Sequence, residues 1–449
     1  MATENQENEN VGWFKGFIRK IMNVVISVAK DTKKLGEEDP RRIIHSFKVG
    51  LAITLVSLFY YFDFFYAGFG VSAMWAVMTV VVVFEFSVGA TLGKGINRAI
   101  ATLLGGALGV GAHRLASFTG EKVDVIMLGL SVFFIASSVT FIRFFPKLKA
   151  RYDYALLIFI LTFCLISVSG YRNDEVLEMA HRRLSTILIG GSATVFICIF
   201  ICPIWAGKDL HNLTANNIEK LAIFLQGFGH EYFETTNDKN QENVKASIDG
   251  YKTVLNSKGT EEALVNFAKW EPRHGKFRYR HPWDQYLKIG SLTRECAYRI
   301  DALNGYLNSE MQTSPEIRTK IQESCTKMSS ECSHALKELA LGINTMTSSL
   351  PADPHILNAK TAAKKLKSSL KTGLWPDTDL VDIIPAATIA SMLIEIVSYT
   401  VKIADSVHEL ASLSKFKSRD EASRNEKSKG KVTRTPSIES HSLSINIIE

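Results

Sequence analysis

The sequence has 449 residues, with 52 Lys and Arg against 45 Asp and Glu and a formal net charge of +7. That length would serve about three average soluble domains, yet residues 49–207 hold only 11 Lys/Arg and 8 Asp/Glu, less than half the charge density of the rest. The excess charge divides as +2, +3 and +2 over residues 1–48, 49–207 and 208–449, so no block is basic enough for nucleic acid, and six cysteines without a C-x2-C pair fit neither a zinc site nor a secreted disulfide framework.

Residues 1–44 open on MATENQENENVGWFKGF, acidic and polar where a cleaved signal would be basic and then apolar. They are expected to form a cytosolic N-terminal segment. Residues 45–207 contain six runs free of Asp, Glu, Lys and Arg: 49–62, 64–84, 99–112, 125–142, 154–171 and 184–207. A charge at mid-bilayer costs roughly 2.5–3.5 kcal/mol and a crossing takes about 20 residues, so each run predicts a transmembrane helix. The two 14-residue runs are lengthened by snorkelling, Lys48 and Arg98 at one end and Asp63 or His113 at the other. Pro146 and Pro203, the two prolines in this stretch, stand at run boundaries, which suits unbroken helices. In the third run Gly105 and Gly109 form a small-x3-small pair for close helix packing. The GxxxGK at Gly89–Lys94 is one residue short of a phosphate loop and lacks its Ser or Thr.

Short-loop cations set the orientation. Arg41 and Arg42 precede the first run, Lys94 and Arg98 are read as a loop between the second and third, and Arg143, Lys147, Lys149 and Arg151 separate the fourth and fifth. The opposite loops carry five, Arg114, Lys122, Arg172, Arg182 and Arg183. Both termini are therefore expected in the cytosol.

Beyond Gly207 the chain becomes polar with helical periodicity near 208–232, 259–269, 284–312, 315–347, 355–371 and 380–414, an all-α cytosolic domain over 208–417. The stretch WEPRHGKFRYRHPW, Trp270–Trp283, alternates aromatic and basic residues, and is read as a loop braced against its neighbours in preference to a single-strand stacking platform. Residues 418–449 are polar, charged and aperiodic, a disordered tail in which Thr435 and Ser437 are candidate kinase targets.

The sequence offers no Ser/His/Asp set, metal-spaced cluster or carboxylate pair in the spans, so neither an enzyme nor a bound cofactor is expected. What stands out is an excess of cations beside apolar runs: Lys48, Lys94, Arg98, Arg182 and Arg183, against Glu85 as the one acid near the second run. Glu85 suits an ion pair with Lys94 or Lys48, and at least three cations remain. Unpaired basic groups around a water-filled path select anions, while snorkelling to headgroups is the plainer role for any one of them. On the opposite face Asp174, Glu175 and Glu178, with Asp63, offer clustered carboxylate oxygens to a hard external cation. A solvated helix start capped by Asn173 explains the first three equally simply.

Several strings are similar to a known family. EDPRRIIHSFKVGLA at Glu38–Ala52, WAVMTVVVVFEFSVGATLGKGINR at Trp75–Arg98, SGYRNDEVLEMAHRRLSTILIGG at Ser169–Gly191, CPIWAGKDLH at Cys202–His211 and WEPRHGKFRYRHPW resemble the plant aluminium-activated malate transporters. The resemblance implies an anion channel that passes malate and sometimes inorganic anions, built as a homodimer with six membrane helices and a helical cytosolic domain. It points to Lys94 and Arg98 in GKGINR and Arg183 in AHRRLST as pore cations, Lys48 in FKVGLA as a weaker one, and Trp75 as lining or packing beside the path. It implies membrane lipids, malate and, for some members, the aluminium ion as partners. The plasma membrane is the expected location, with the vacuolar membrane as the alternative. A proton-coupled organic-acid exporter working through Glu85 and a non-conducting membrane scaffold are the competing readings.

Overall fold

The computed structural model describes residues 2–62, 74–118, 121–170, 176–233, 249–277, 281–307, 315–348, 351–371 and 380–417. They are helical with no strand among them, only isolated bridges such as His274 with Phe277. The chain divides into two compact units, Met1–Ala206 and Gly207–Glu449.

The first unit holds α1 (Ala2–Glu38), α2 (Arg41–Tyr61), α3 (Met74–Val83), α4 (Val88–Ser117), α5 (Glu121–Ile142), α6 (Pro146–Gly170) and α7 (Val176–Phe200). Within these, Val88–Ser117, Val123–Ile142, Pro146–Val168 and Ala180–Phe200 are long and apolar enough to cross a membrane. α2 carries Arg41, Arg42 and Lys48 toward its start; α3 shows ten described residues, because 63–73 lie outside the description. Their outward apolar side chains, among them Phe133, Phe134, Phe196 and Phe200, are exposed, the pattern of helices whose solvent is hydrocarbon.

Small residues decide the crossings. A Cβ on Gly105 would lie 2.8 Å from the backbone oxygen of Phe159, and one on Gly109 3.0 Å from the Ile166 side chain, so the small-x3-small pair presses α4 against α6. A Cβ on Gly190 would run into the Ala76 backbone, which fixes α7 on α3. Thr79 and Thr194 satisfy their buried hydroxyls on the carbonyls four residues back, those of Trp75 and Gly190. An apolar knot of Ala52, Val56, Ala76, Val80, Phe84, Val88, Ile197 and Cys198 closes one end of α2, α3, α4 and α7.

The expected loop holding Lys94 and Arg98 is corrected. α4 begins at Val88, where the Ser87 hydroxyl accepts from the Ala90 amide, so both cations lie on the helix. The glycines of GATLGKG suggest a loop, yet Gly89 and Gly93 are buried within α4. After α7 the chain turns at Cys202, whose φ of 43° is the left-handed value usual for a helix C-cap, and the Val88 amide bonds the Ile204 carbonyl at 2.9 Å.

The second unit holds α8 (Ala206–Phe233), the short α9 (Lys252–Leu255), α10 (Lys258–Ala268), α11 (Trp283–Leu307), α12 (Pro315–Thr345), α13 (Ala352–Lys371) and α14 (Leu380–Ser414). α14 contains a fifth stretch long and apolar enough for a membrane, Ile383–Ser414. Its apolarity has another cause: α11, α12 and α13 pack around it and bury Leu393, Ile396, Val397, Ile403, Val407 and Leu410. Some buried polar groups tie the helices together, as where the Gln285 amide donates to the Ser406 carbonyl at 2.9 Å. Four of the six cysteines, Cys198, Cys296, Cys325 and Cys332, are buried thiols outside any disulfide; Cys202 is exposed. The tail with Thr435 and Ser437 lies outside the described residues.

Candidate anion path

The cations of the first unit fall into two layers along the helices. Near the start of α4, the Lys94 ammonium pairs with Glu85, which settles which lysine that acid takes, and lies 5.7 Å over the Tyr154 ring. Lys48 on α2 is 2% exposed and donates to the Cys202 carbonyl at 3.2 Å, so its charge meets a backbone dipole instead of a carboxylate. His45, one turn earlier, has its ring edge-on to Phe84 and Phe86, with Lys48 and Glu85 in electrostatic reach.

Arg98 and Arg183 lie deeper. Arg98 stands ten residues into α4, about 15 Å along it, and Arg183 seventeen residues before the end of α7, about 25 Å from that end. Each stands directly before a charge-free run and still lies within its helix, because both helices start before those runs do. Each is 5% exposed. The Arg98 Nη1 donates to the Tyr154 hydroxyl at 2.9 Å, while the Arg183 guanidinium stacks 3.9 Å over the Trp75 ring. Both Nε atoms are buried without a hydrogen-bond partner, and the two guanidiniums are close enough to repel each other. Among the described residues no carboxylate pairs with Lys48, Arg98 or Arg183. Arg182, one step along α7, points outward and pairs with exposed Glu178.

A buried charge without a counter-charge is costly, and adjacent residues on one helix diverge by about 100°. Holding one guanidinium by a phenol hydroxyl and the other over an indole ring orients both without an acid, which suits a passing anion. Tyr154 and His45 escaped the sequence reading; the polar RYDY edge of the fifth run was the one signal for Tyr154. Trp75 is brought to Arg183 as a ring beneath a cation, half-buried. Asp63, Asp174 and Glu175 lie outside the described residues, and Glu178 is already engaged with Arg182. No cluster able to hold a metal occurs among the described residues.

The sequence profile described as aluminium activated malate transporter matches residues 33–375, which span every one of these positions. The chain belongs to the aluminium-activated malate transporter family. It is 55% identical over 406 residues to aluminum-activated malate transporter 2 of Arabidopsis thaliana, covering 90% of this chain and 81% of that one. It is 50% identical to aluminum-activated malate transporter 1 of the same plant, over 94% and 87% of the two chains. Against aluminum-activated malate transporter 1 of Triticum aestivum the identity is 45%, over 86% and 85%. With four long apolar helices in its first unit, this member of the malate transporter family is a membrane protein.

Proposed function

We propose that the chain is an anion channel that carries malate, and inorganic anions with it, across a plant cell membrane. The observation that carries this reading is the pair Arg98 and Arg183, buried in membrane helices without a carboxylate among the described residues and held by Tyr154 and Trp75. Malate is a dianion, and two fixed guanidiniums spaced along the path offer it attraction without a trap, because neither is pre-paired. The relatives' names supply malate itself. The channel reading stands above the exporter reading because Glu85, the acid an exporter would titrate, is tied to Lys94.

In this reading α2–α7 are six crossings, with residues 1–44 and 208–417 and the tail in the cytosol. Arg41 and Arg42 at the start of α2, and Arg143, Lys147, Lys149 and Arg151 about the α5–α6 turn, support that side even though Lys94 and Arg98 leave the loop count. The protein acts as a homodimer in the plasma membrane, with a kinase acting on the tail. External aluminium binds near Asp63, Asp174, Glu175 and Glu178 and shifts a closed-to-open equilibrium. Replacing the three clustered acids by Asn or Gln then abolishes aluminium stimulation with basal current intact; unchanged stimulation removes the sensor.

The test of conduction is malate flux from liposomes holding the purified protein, with pH equal on both sides and the membrane potential set by potassium and valinomycin. Potential-driven flux is expected. Flux that requires a proton gradient supports the exporter, and no flux under either condition supports the scaffold.

A further inference from the structure

We infer that α1, from Arg19 to Leu35, lies along an anionic lipid surface as an interfacial helix. Wound at about 100° per residue, Met22, Val24, Val25, Val28, Ala29 and Leu35 share an arc of about 160°, while Arg19, Lys20, Lys30, Lys33 and Lys34 occupy the other side with Asp31 as its one acid. Ile26 among the cations and Thr32 on the apolar arc are the exceptions. Met22 is 56% exposed, Val25 59% and Val28 57%, so the stripe is left uncovered within its own unit. α1 does not suit a bilayer crossing, because its longest charge-free stretch is residues 21–29, against the roughly 20 residues a crossing takes.

Two features choose the occupant. α1 ends at Glu38 and α2 begins at Arg41, so the stripe is tethered within a few residues of a helix entering the apolar zone. The elbow is fixed: Asp39 accepts from the Arg41 amide at 3.1 Å and from its Nε at 3.0 Å, and Gly36 sits against Ile43. The second feature is charge. Five cations against Asp31 and, in the last turn of α1, Glu37 and Glu38 leave that side net positive beside an apolar stripe, which fits an anionic headgroup layer over acyl chains. The same face brought against a second copy would set cations near cations. The inference rests on the membrane assignment of α2 but not on which side the N-terminus faces.

The test places nitroxide labels by Val25→Cys, Val28→Cys, Lys30→Cys and Lys34→Cys in full-length protein carrying Cys202→Ser, the labelled background subtracted. The protein is reconstituted in bilayer discs of phosphatidylcholine, with and without phosphatidylserine. With phosphatidylserine, labels at 25 and 28 are expected to be reached by oxygen and shielded several-fold from a water-soluble nickel chelate, those at 30 and 34 the reverse. Without it, nickel access at 25 and 28 is expected to rise. Equal nickel access at all four sites overturns the inference, as does dipolar broadening at 25 or 28 that reveals a second copy covering the stripe. Shielding that ignores phosphatidylserine overturns the anionic preference. Malate flux through the same labelled protein reports on conduction separately, so an unbound α1 with intact flux fails this inference alone.

Discussion

Tyr286 serves two histidines at once: its hydroxyl lies 2.8 Å from the His211 Nδ1 and 3.2 Å from the His281 Nε2. Phe277 and Trp283 close over them, so these two aromatics of the Trp270–Trp283 stretch are core residues. Burial pulls both histidines down to about 4 and pushes the Tyr286 phenol up. Since their folded values lie below the unfolded one of about 6.5, the stability they permit is complete above that value and is lost as pH falls toward 4. Denaturant unfolding of the purified protein should therefore weaken between pH 6.5 and 4, by on the order of 3 kcal/mol per histidine. His211→Gln with His281→Gln should flatten that slope; an unchanged slope assigns acid sensitivity elsewhere. At neutral pH Tyr286→Phe strands a ring nitrogen and should cost about 1–3 kcal/mol. In the membrane unit, Trp75→Leu removes the ring beneath Arg183 and should weaken malate conduction more than Trp75→Phe, which keeps a π face; equal currents would leave the ring a packing role. Residue types were legible where charge is scarce, so Lys48, Lys94, Arg98 and Arg183 stood out. Which of Arg182 and Arg183 faces inward was not, because that depends on the rotation of α7.

At the scale of elements, apolar runs located the helices and missed the ends that charged residues extend. α4 starts at Val88 because Ser87 caps it and its glycines pack, so a run that opens after Arg98 sits in the middle of a 30-residue helix. α1 escaped for a related reason: its longest charge-free stretch, residues 21–29, is far shorter than the roughly 20 residues of a crossing. α14 was legible as a helix, while its apolar composition reflects burial among α11, α12 and α13. The Gly105–Phe159 approach gives a direct check of the α4–α6 crossing. Gly105→Val should lower the thermal midpoint of detergent-solubilised protein, costing about 1–3 kcal/mol by overpacking, whereas Gly111→Ala, which meets open space, should leave it in place. Equal midpoints would mean that the crossing is looser than described.

For the whole molecule, the side of the second unit has a built-in reporter. Asn212-Leu213-Thr214 is a glycosylation acceptor with Asn212 exposed on α8, and it should stay bare if the unit faces the cytosol; a glycan on Asn212 would reverse the topology. The central claim is that Arg98 and Arg183 form the anion path, and voltage clamp with malate as the sole permeant anion tests it. At an effective dielectric near 20, a unit charge about 4 Å from an anion is worth about 4 kcal/mol. Arg98→Glu and Arg183→Glu, delivered to the membrane at wild-type levels, should each cut the malate current by roughly a thousandfold. Wild-type malate currents in both variants would contradict the account.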